Sequence, residues 1–355
     1  MAGTSLDGVD LALVSFRPTF RLHAAKTFPF PEALRQKLKA ICFRETVPLK
    51  TVAEHDVELG VFLGRTVATW LRELGISPET ISAIGSHGQT VLHHPRGPLP
   101  FTLQIGDPNL IAEITGITVV ADFRRRDVAA GGQGAPLTPL FHREIFWSIE
   151  EDRAVLNLGG IANLTLLPRS GEVVGFDTGP ANTLLDRWCE QHLRQPFDRD
   201  GRWAASGKPL PALLEAMLRD PFFNQPPPKS CGPEDFSLDW LEAFLAGGER
   251  PEDVQATLVQ LTVESVRGAF EQTEFWPKRI YLCGGGCRNR FLVSRLRERL
   301  NVEITTTKAA GIDPDFVEAA AFAYLAYRTL QGHPSNLPSV TGARREVILG
   351  AIYPA

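Results

Sequence analysis

Residues 9–16, VDLALVSF, alternate apolar and polar positions and carry β-branched side chains, the pattern of a buried strand. The GTSLDG that precedes them therefore reads as the tip of a hairpin and not as the start of a helix, which excludes the P-loop and Rossmann arrangements. Residues 20–30 supply a further strand, residues 31–43 the spacing of an amphipathic helix introduced by proline, and residues 51–74 a longer helix. Residues 81–93 then read as a buried strand ending in a polar turn, 103–116 as a short helix and 117–123 as another strand. That rhythm predicts an α/β domain with a largely parallel sheet.

A glycine-rich loop entering a helix, residues 129–146, marks the crossing to a second round of the same order. RAVLNLGG and IANLTLLP form two strands around a Gly-Gly turn, VVGFD a third, and 180–193 a helix with Pro180 at its first position. The repeat of hairpin, strand and helix predicts two similar domains, 1–130 and 131–355, facing each other across a cleft. A proline- and tryptophan-rich stretch, about 198–245, reads as an insertion decorating the second domain. Residues 251–272 are strongly helical, and 279–292 give a strand, a glycine turn and a helix start with Asn289 near its cap. VEITTT is a strand and 315–332 an alanine-rich helix. The tail from 333 on is expected to be a return strand or ordered coil, packing back on the first lobe.

At 355 residues the chain exceeds what one core accommodates, in agreement with two domains. Its net charge of −4 offers no basic face to nucleic acid or anionic lipid. No apolar run reaches membrane-spanning length and no leader is evident, so a cytoplasmic protein is expected. Five scattered cysteines fit a reducing compartment better than a disulfide framework. Cys283 and Cys287 enclose three glycines with no second pair, which argues against zinc.

Four polar, glycine-punctuated loops stand at strand ends: GTSLDG, SHGQT, GFDTGPAN and LCGGGCRN. Strand ends line the ligand crevice of open α/β sheets, so these are the site candidates. Asp177 ends an apolar strand and precedes Thr178 and Gly179, a placement suited to a general base beside a phosphate, with the helix opened by Pro180 favouring an anion. Asp177 serving only as a helix cap is the competing reading. In SHGQT, His87, Gln89 and Thr90 could hydrogen-bond a sugar or carboxylate, whereas His93 and His94 read as solvated surface histidines. One arginine of DFRRRD could reach an anionic group while the others are solvated or paired with Asp122 and Asp127. LCGGGCRN sets backbone where a flat ring could lie, and Glu318 sits on a helix of small residues, where an unpaired charge is costly.

Taken in order, GTSLDGVD, SHGQTV, TLQIGD, GITVVADFRRRDVAAGGQGAPL, LNLGGIANLT, FDTGPANTLLD, DVQATL, CGGGCRN and NLPSVTGA resemble the anhydro-N-acetylmuramic acid kinases over nearly the whole chain. The resemblance implies a duplicated two-domain, actin-like ATPase (ribonuclease H-like) fold with a central nucleotide cleft. It implies an enzyme that uses ATP and water to open the 1,6-anhydro ring of anhydro-N-acetylmuramate and to phosphorylate the freed oxygen, giving N-acetylmuramate 6-phosphate and ADP in peptidoglycan recycling. By motif, Asp177 would be the catalytic base. Gly3, Thr4, Ser5, Leu6, Asp7, Gly8, Val9 and Asp10 would form a phosphate-binding hairpin, completed by Gly159, Gly160, Gly179, Gly284, Gly285 and Asn289. His87, Thr90, Arg124 and Glu318 would face the sugar. Mg²⁺ would bridge the phosphates, with Asp7 as its candidate carboxylate.

The expected partners are small molecules, with no nucleic acid and no membrane, and a homodimer is left open. Two readings of the same fold compete, a phosphoanhydride hydrolase without a sugar acceptor and a silent nucleotide-binding regulator. The family pattern has an apolar strand before its phosphate hairpin, here reduced to Met1 and Ala2. The expectation is either a start assigned too late or weakened ATP affinity and stability.

Overall fold

The computed structural model describes residues 1–3, 6–44, 46–232 and 234–355. Two compact units divide them, residues 1–141 with 318–355, and residues 142–317. In chain order the first unit carries β1 (Gly8–Ser15), β2 (Arg21–Pro29), α1 (Glu32–Ile41), α2 (Leu49–Leu74), β3 (Ile84–Gly85), β4 (Gln89–His94) and β5 (Phe101–Ile105). It continues through α3 (Pro108–Thr115), β6 (Val119–Ala121), α4 (Phe123–Ala129) and α5 (Pro139–Phe146), within which the division falls. The second unit holds β7 (Arg153–Leu158), β8 (Ile161–Leu167), β9 (Val174–Pro180) and α6 (Asn182–Leu193). Four short helices follow, α7 (Arg202–Ser206), α8 (Pro211–Leu218), α9 (Pro221–Asn224) and α10 (Leu238–Glu242), then α11 (Pro251–Gln272), β10 (Arg279–Cys283), α12 (Arg290–Leu300) and β11 (Glu303–Thr306). The chain returns to the first unit with α13 (Val317–Leu330), α14 (Pro338–Thr341) and β12 (Ala351–Tyr353).

The second unit is built on one mixed sheet in the order β11-β10-β7-β8-β9, parallel from β11 to β7 and antiparallel from β7 to β9. Helix α11 lies against it and is buried on nearly every face, so even Gln255, Thr257 and Thr262 lose their water and bond instead to backbone carbonyls. The 198–245 stretch is more than decoration. Ala204, Leu213, Met217, Phe222, Phe223, Phe236 and Leu241 join the core under the sheet, because its aromatic residues have no other way to leave water.

The first unit departs from a largely parallel sheet. Its pairings are the antiparallel hairpins β1–β2 and β4–β5 and a small sheet, β12-β6-β3, in which only β3 and β6 run parallel. Residues 81–93 do not form one strand, and 103–116 begin as strand β5 before the helix α3, which Asp107 caps by accepting the Asn109 N–H at 2.8 Å. Strand β12 pairs with β6, so the tail is a return strand. Ahead of β1, Ala2 makes a single antiparallel bridge to Val9, and Met1 O accepts the Asp10 N–H at 2.8 Å. Beyond that bridge β1 faces an apolar groove of about 430 Å³ lined by residues such as Leu13, Trp70, Leu71, Ile84 and Ala326.

Candidate active site

The hairpin tip that joins β7 to β8 shows how the second unit fixes its loops. The Gly159 and Gly160 carbonyls accept the N–H groups of Asn182, Ala181 and Thr183 at 3.0 to 3.1 Å. The first donors of α6 are thereby spent on protein, so the helix start that Pro180 was expected to offer an anion is already occupied. Pro180 itself belongs to β9, opposite Ile161, because the ladder runs two residues past Asp177 and Thr178. What this hairpin leaves open to a ligand is its own backbone.

Asp177 lies in β9 opposite Asn163, beside the irregularity between Ala162 and Asn163. It caps no helix. Among the described residues one hydrogen bond reaches its carboxyl, from the Cys231 N–H to Oδ2 at 3.0 Å, while the Asp177 N–H donates to Lys229 O at 3.0 Å. Burial raises its affinity for a proton to about 7, against the partial opposition of the Cys231 hydrogen bond and the Lys229 charge. A carboxyl in this state can take a proton near neutral pH, as a general base must. Gly179 follows at φ 144°, where a Cβ would come within 2.7 Å of the Phe223 ring, so glycine is required for the insertion to pack against the strand end.

The glycine turn after β10 is differentiated. At Gly284 a Cβ would meet Asn157 at 2.4 Å, and at Gly286 it would meet Leu158 at 2.6 Å, whereas at Gly285 the nearest atom is 4.0 Å away. Gly285 alone of the three presents open backbone on which a flat ring could rest. Asn289 caps α12, its Oδ1 accepting the Leu292 N–H at 3.0 Å, so half of its amide is committed to structure.

In the first unit Thr4 and Ser5 lie outside the described residues. Gly3 O accepts the Leu6 N–H at 3.3 Å, and the Leu6 and Val9 side chains are buried in the core, which leaves only their backbone for a ligand. Asp7 is exposed, Gly8 opens β1, and Asp10 Oδ1 accepts the Thr27 hydroxyl at 2.5 Å.

His87, Arg124 and Glu318, 194 residues from Arg124 in sequence, meet in this unit. Arg124 Nε donates to His87 Nε2 at 2.9 Å and a terminal nitrogen donates to Gly134 O at 2.7 Å. His87 Nδ1 then carries the proton and donates to Gly88 O at 2.8 Å, and burial with the adjacent guanidinium holds the ring well below its ordinary pKa, neutral. Glu318, in the first turn of α13, is raised by desolvation and held back by Arg124, with the charge of Asp10 acting against its ionisation. Arg124 in turn is lowered to about 10 by burial. Thr90 Oγ1 accepts from Gln104 at 3.2 Å and remains half-buried.

Other expectations shift. Arg125 pairs with Asp122 at 3.3 Å, but Asp127 binds no arginine side chain among the described residues, serving instead Gly134, Asn336 and Thr341. His94 is exposed, whereas His93 is half-buried and held by Thr102 at 3.0 Å, with its pKa lowered to about 4 by burial and by nearby Arg124. Lys229 and Cys231 carry no motif, and no signal in the sequence joins them to Asp177.

A carboxyl held near 7 and half-buried glycine backbone at a hairpin tip are compatible with phosphoryl transfer to an oxygen nucleophile, and an α/β kinase is the class that carries it out. The family model Anhydro-N-acetylmuramic acid kinase matches residues 1–355, and the chain belongs to that family. It is 50% identical over 357 residues to the anhydro-N-acetylmuramic acid kinase of Coxiella burnetii (strain Dugway 5J108-111), covering 99% of this chain and 96% of that protein. It is 51% identical over 362 residues to the enzyme of the same name from Xanthomonas campestris pv. campestris (strain 8004), covering 100% and 96%. Among solved structures, the activator of the 2-hydroxyisocaproyl-CoA dehydratase from Clostridium difficile is similar with a TM-score of 0.38 and 14% identity, over 70% of this chain and 94% of that one, a likeness too distant to add to the family assignment. As a kinase of this family the enzyme uses ATP. No helix among the described residues is long and apolar enough to cross a membrane.

Proposed function

We propose that the enzyme couples hydrolytic opening of 1,6-anhydro-N-acetylmuramic acid to its phosphorylation, with Asp177 as the base, in the recycling of cell-wall sugars in the cytoplasm. The observation that carries the role of Asp177 is its carboxyl, half-buried, met by a single backbone donor and held near 7 by desolvation. Asp177 takes a proton from water as the water oxygen bonds to the anomeric carbon. The bond from that carbon to the bridging oxygen breaks, and the freed oxygen bonds to the γ-phosphorus as the bond to ADP breaks. Backbone at Gly159, Gly160 and Gly179 of the second unit supports the phosphates in this reading, and Gly285 supports the adenine. Arg124 and Glu318, with neutral His87 fixing the guanidinium, address the polar groups of the sugar.

Among the described residues no group of three or more His, Cys, Asp or Glu converges to hold a metal, so Mg²⁺ fits here only as a passenger on the nucleotide, with Asp7 as the protein carboxylate offered to it. When bound it offsets phosphate charge. Mass spectrometry after turnover in ¹⁸O-enriched water tests the coupling. One label at the anomeric hydroxyl and none in the phosphoryl group is expected. Label in released phosphate, with ATP consumed whether or not the anhydro sugar is present, would replace this reading by a phosphoanhydride hydrolase.

A further inference from the structure

Lysine is seldom buried unless its charge has a use or a partner. Lys229 is 4% exposed, and no carboxylate among the described residues lies within ion-pair distance of it. Its ammonium donates to the carbonyls of Phe222 and Phe223 at 3.1 and 3.3 Å and lies 4.7 Å above the Phe222 ring. The same Phe223 packs its ring against Gly179. The backbone that leaves Lys229 is tied to Asp177 twice, through Lys229 O and through the Cys231 N–H. The segment is thus fastened to the base at two atoms, and it carries one cation, fixed by carbonyls at a remove from the carboxyl.

We propose that Lys229 is a positioning residue for this reaction: its clamped ammonium supplies the positive field under which the Asp177 carboxyl ionises while leaving that carboxyl's second oxygen free for water. The proposal rests on Asp177 being the base. A direct ion pair would hold the carboxylate tightly and occupy an oxygen, and with no cation burial would keep it protonated at neutral pH. A fixed charge beyond contact distance avoids both.

The other groups around the carboxyl do not supply that field. Cys231 is pushed far up by burial and by Asp177, Asp235 and Glu234, so it stays a neutral thiol. Strand β8 sets Asn163 opposite Asp177, and α9 brings phenylalanines. Helix α11, packed along β9, keeps Glu264, Arg267 and Glu271 in ion pairs with one another and with Arg299.

The pH profile of kcat in Lys229→Met and Lys229→Arg tests this. In Lys229→Met the acid limb moves upward by about one pH unit, a roughly tenfold loss on the acid side of the wild-type limb that alkali recovers, and Lys229→Arg restores most of the position. A limb that stays put in the folded Lys229→Met protein, or a loss equal at every pH, overturns the proposal and leaves Lys229 a structural clamp. Asp177→Asn separates the two claims. Should it keep full turnover, the base assignment falls. Should it be inactive while the limb of Lys229→Met is unmoved, only the role of Lys229 falls. The carboxyl band of Asp177 in infrared titration, taken as the difference from Asp177→Asn, gives the same shift without turnover, and its absence counts against the proposal equally.

Discussion

Asp127 is fully buried and Asp177 half-buried, and the protein treats the two carboxyls in opposite ways. Asp127, fully buried on α4, has donors on both oxygens: Asn336 and Thr341 on Oδ1, each at 2.8 Å, and the Gly134 N–H on Oδ2 at 2.7 Å. Asp177 has one backbone donor and a distant cation. The first carboxyl is saturated and its work is to tie the glycine-rich loop to the tail of the chain. The second is left short of partners, and that shortage is what keeps a proton within its reach. The two carboxyls differ both in exposure and in the number of donors that reach them.

The sharpest way to break this comparison is to neutralise each acid. Asp177→Asn should lower kcat by about three orders of magnitude or more while ATP affinity, read by calorimetry, changes little. Asp127→Ala should do the reverse. Three buried donors lose their acceptor at a cost on the order of 3 kcal/mol in urea unfolding, with turnover per folded molecule near wild type.

A third prediction follows from the sign of the proton linkage. Because the folded carboxyl of Asp177 titrates at about 7 and the unfolded one near the ordinary 3.8, the folded state binds the extra proton in that window and loses stability as pH rises through it. Asp177→Asn should therefore melt a few degrees above wild type at pH 8, with the gap narrowing steadily as pH falls toward 4. A gap independent of pH would show that the carboxyl is not the strained group. The smallest effect is expected at Asn289, where loss of the helix cap in Asn289→Ala should cost about 1 kcal/mol in thermal unfolding and leave a merely weakened nucleotide KM at most.

The loops that carry chemistry were legible because glycine and small polar residues at strand ends have few structural uses in common. Asp177, the Gly-Gly hairpin and the cap at Asn289 could all be read that way. Strand β5 could not, since Thr102 is buried beside Ile105 while Phe101 and Leu103 face out, which breaks the pattern that reveals a strand. Pro180 misled because proline is as acceptable at the end of an edge strand as at the first turn of a helix. The meeting of His87, Arg124 and Glu318 joins three distant segments, and the approach of Lys229 to Asp177 crosses 52 residues of chain; neither leaves a periodic trace.

The return of the chain to its starting unit has a consequence for synthesis. The second unit is continuous, so a ribosome can deliver it whole, but the first must wait: β6 lacks β12, and Asp127 lacks Asn336 and Thr341, until the last few dozen residues have emerged. Until then the apolar face meant for α13 stays open to other chains, and the nascent enzyme is exposed to aggregation for nearly the full duration of its translation.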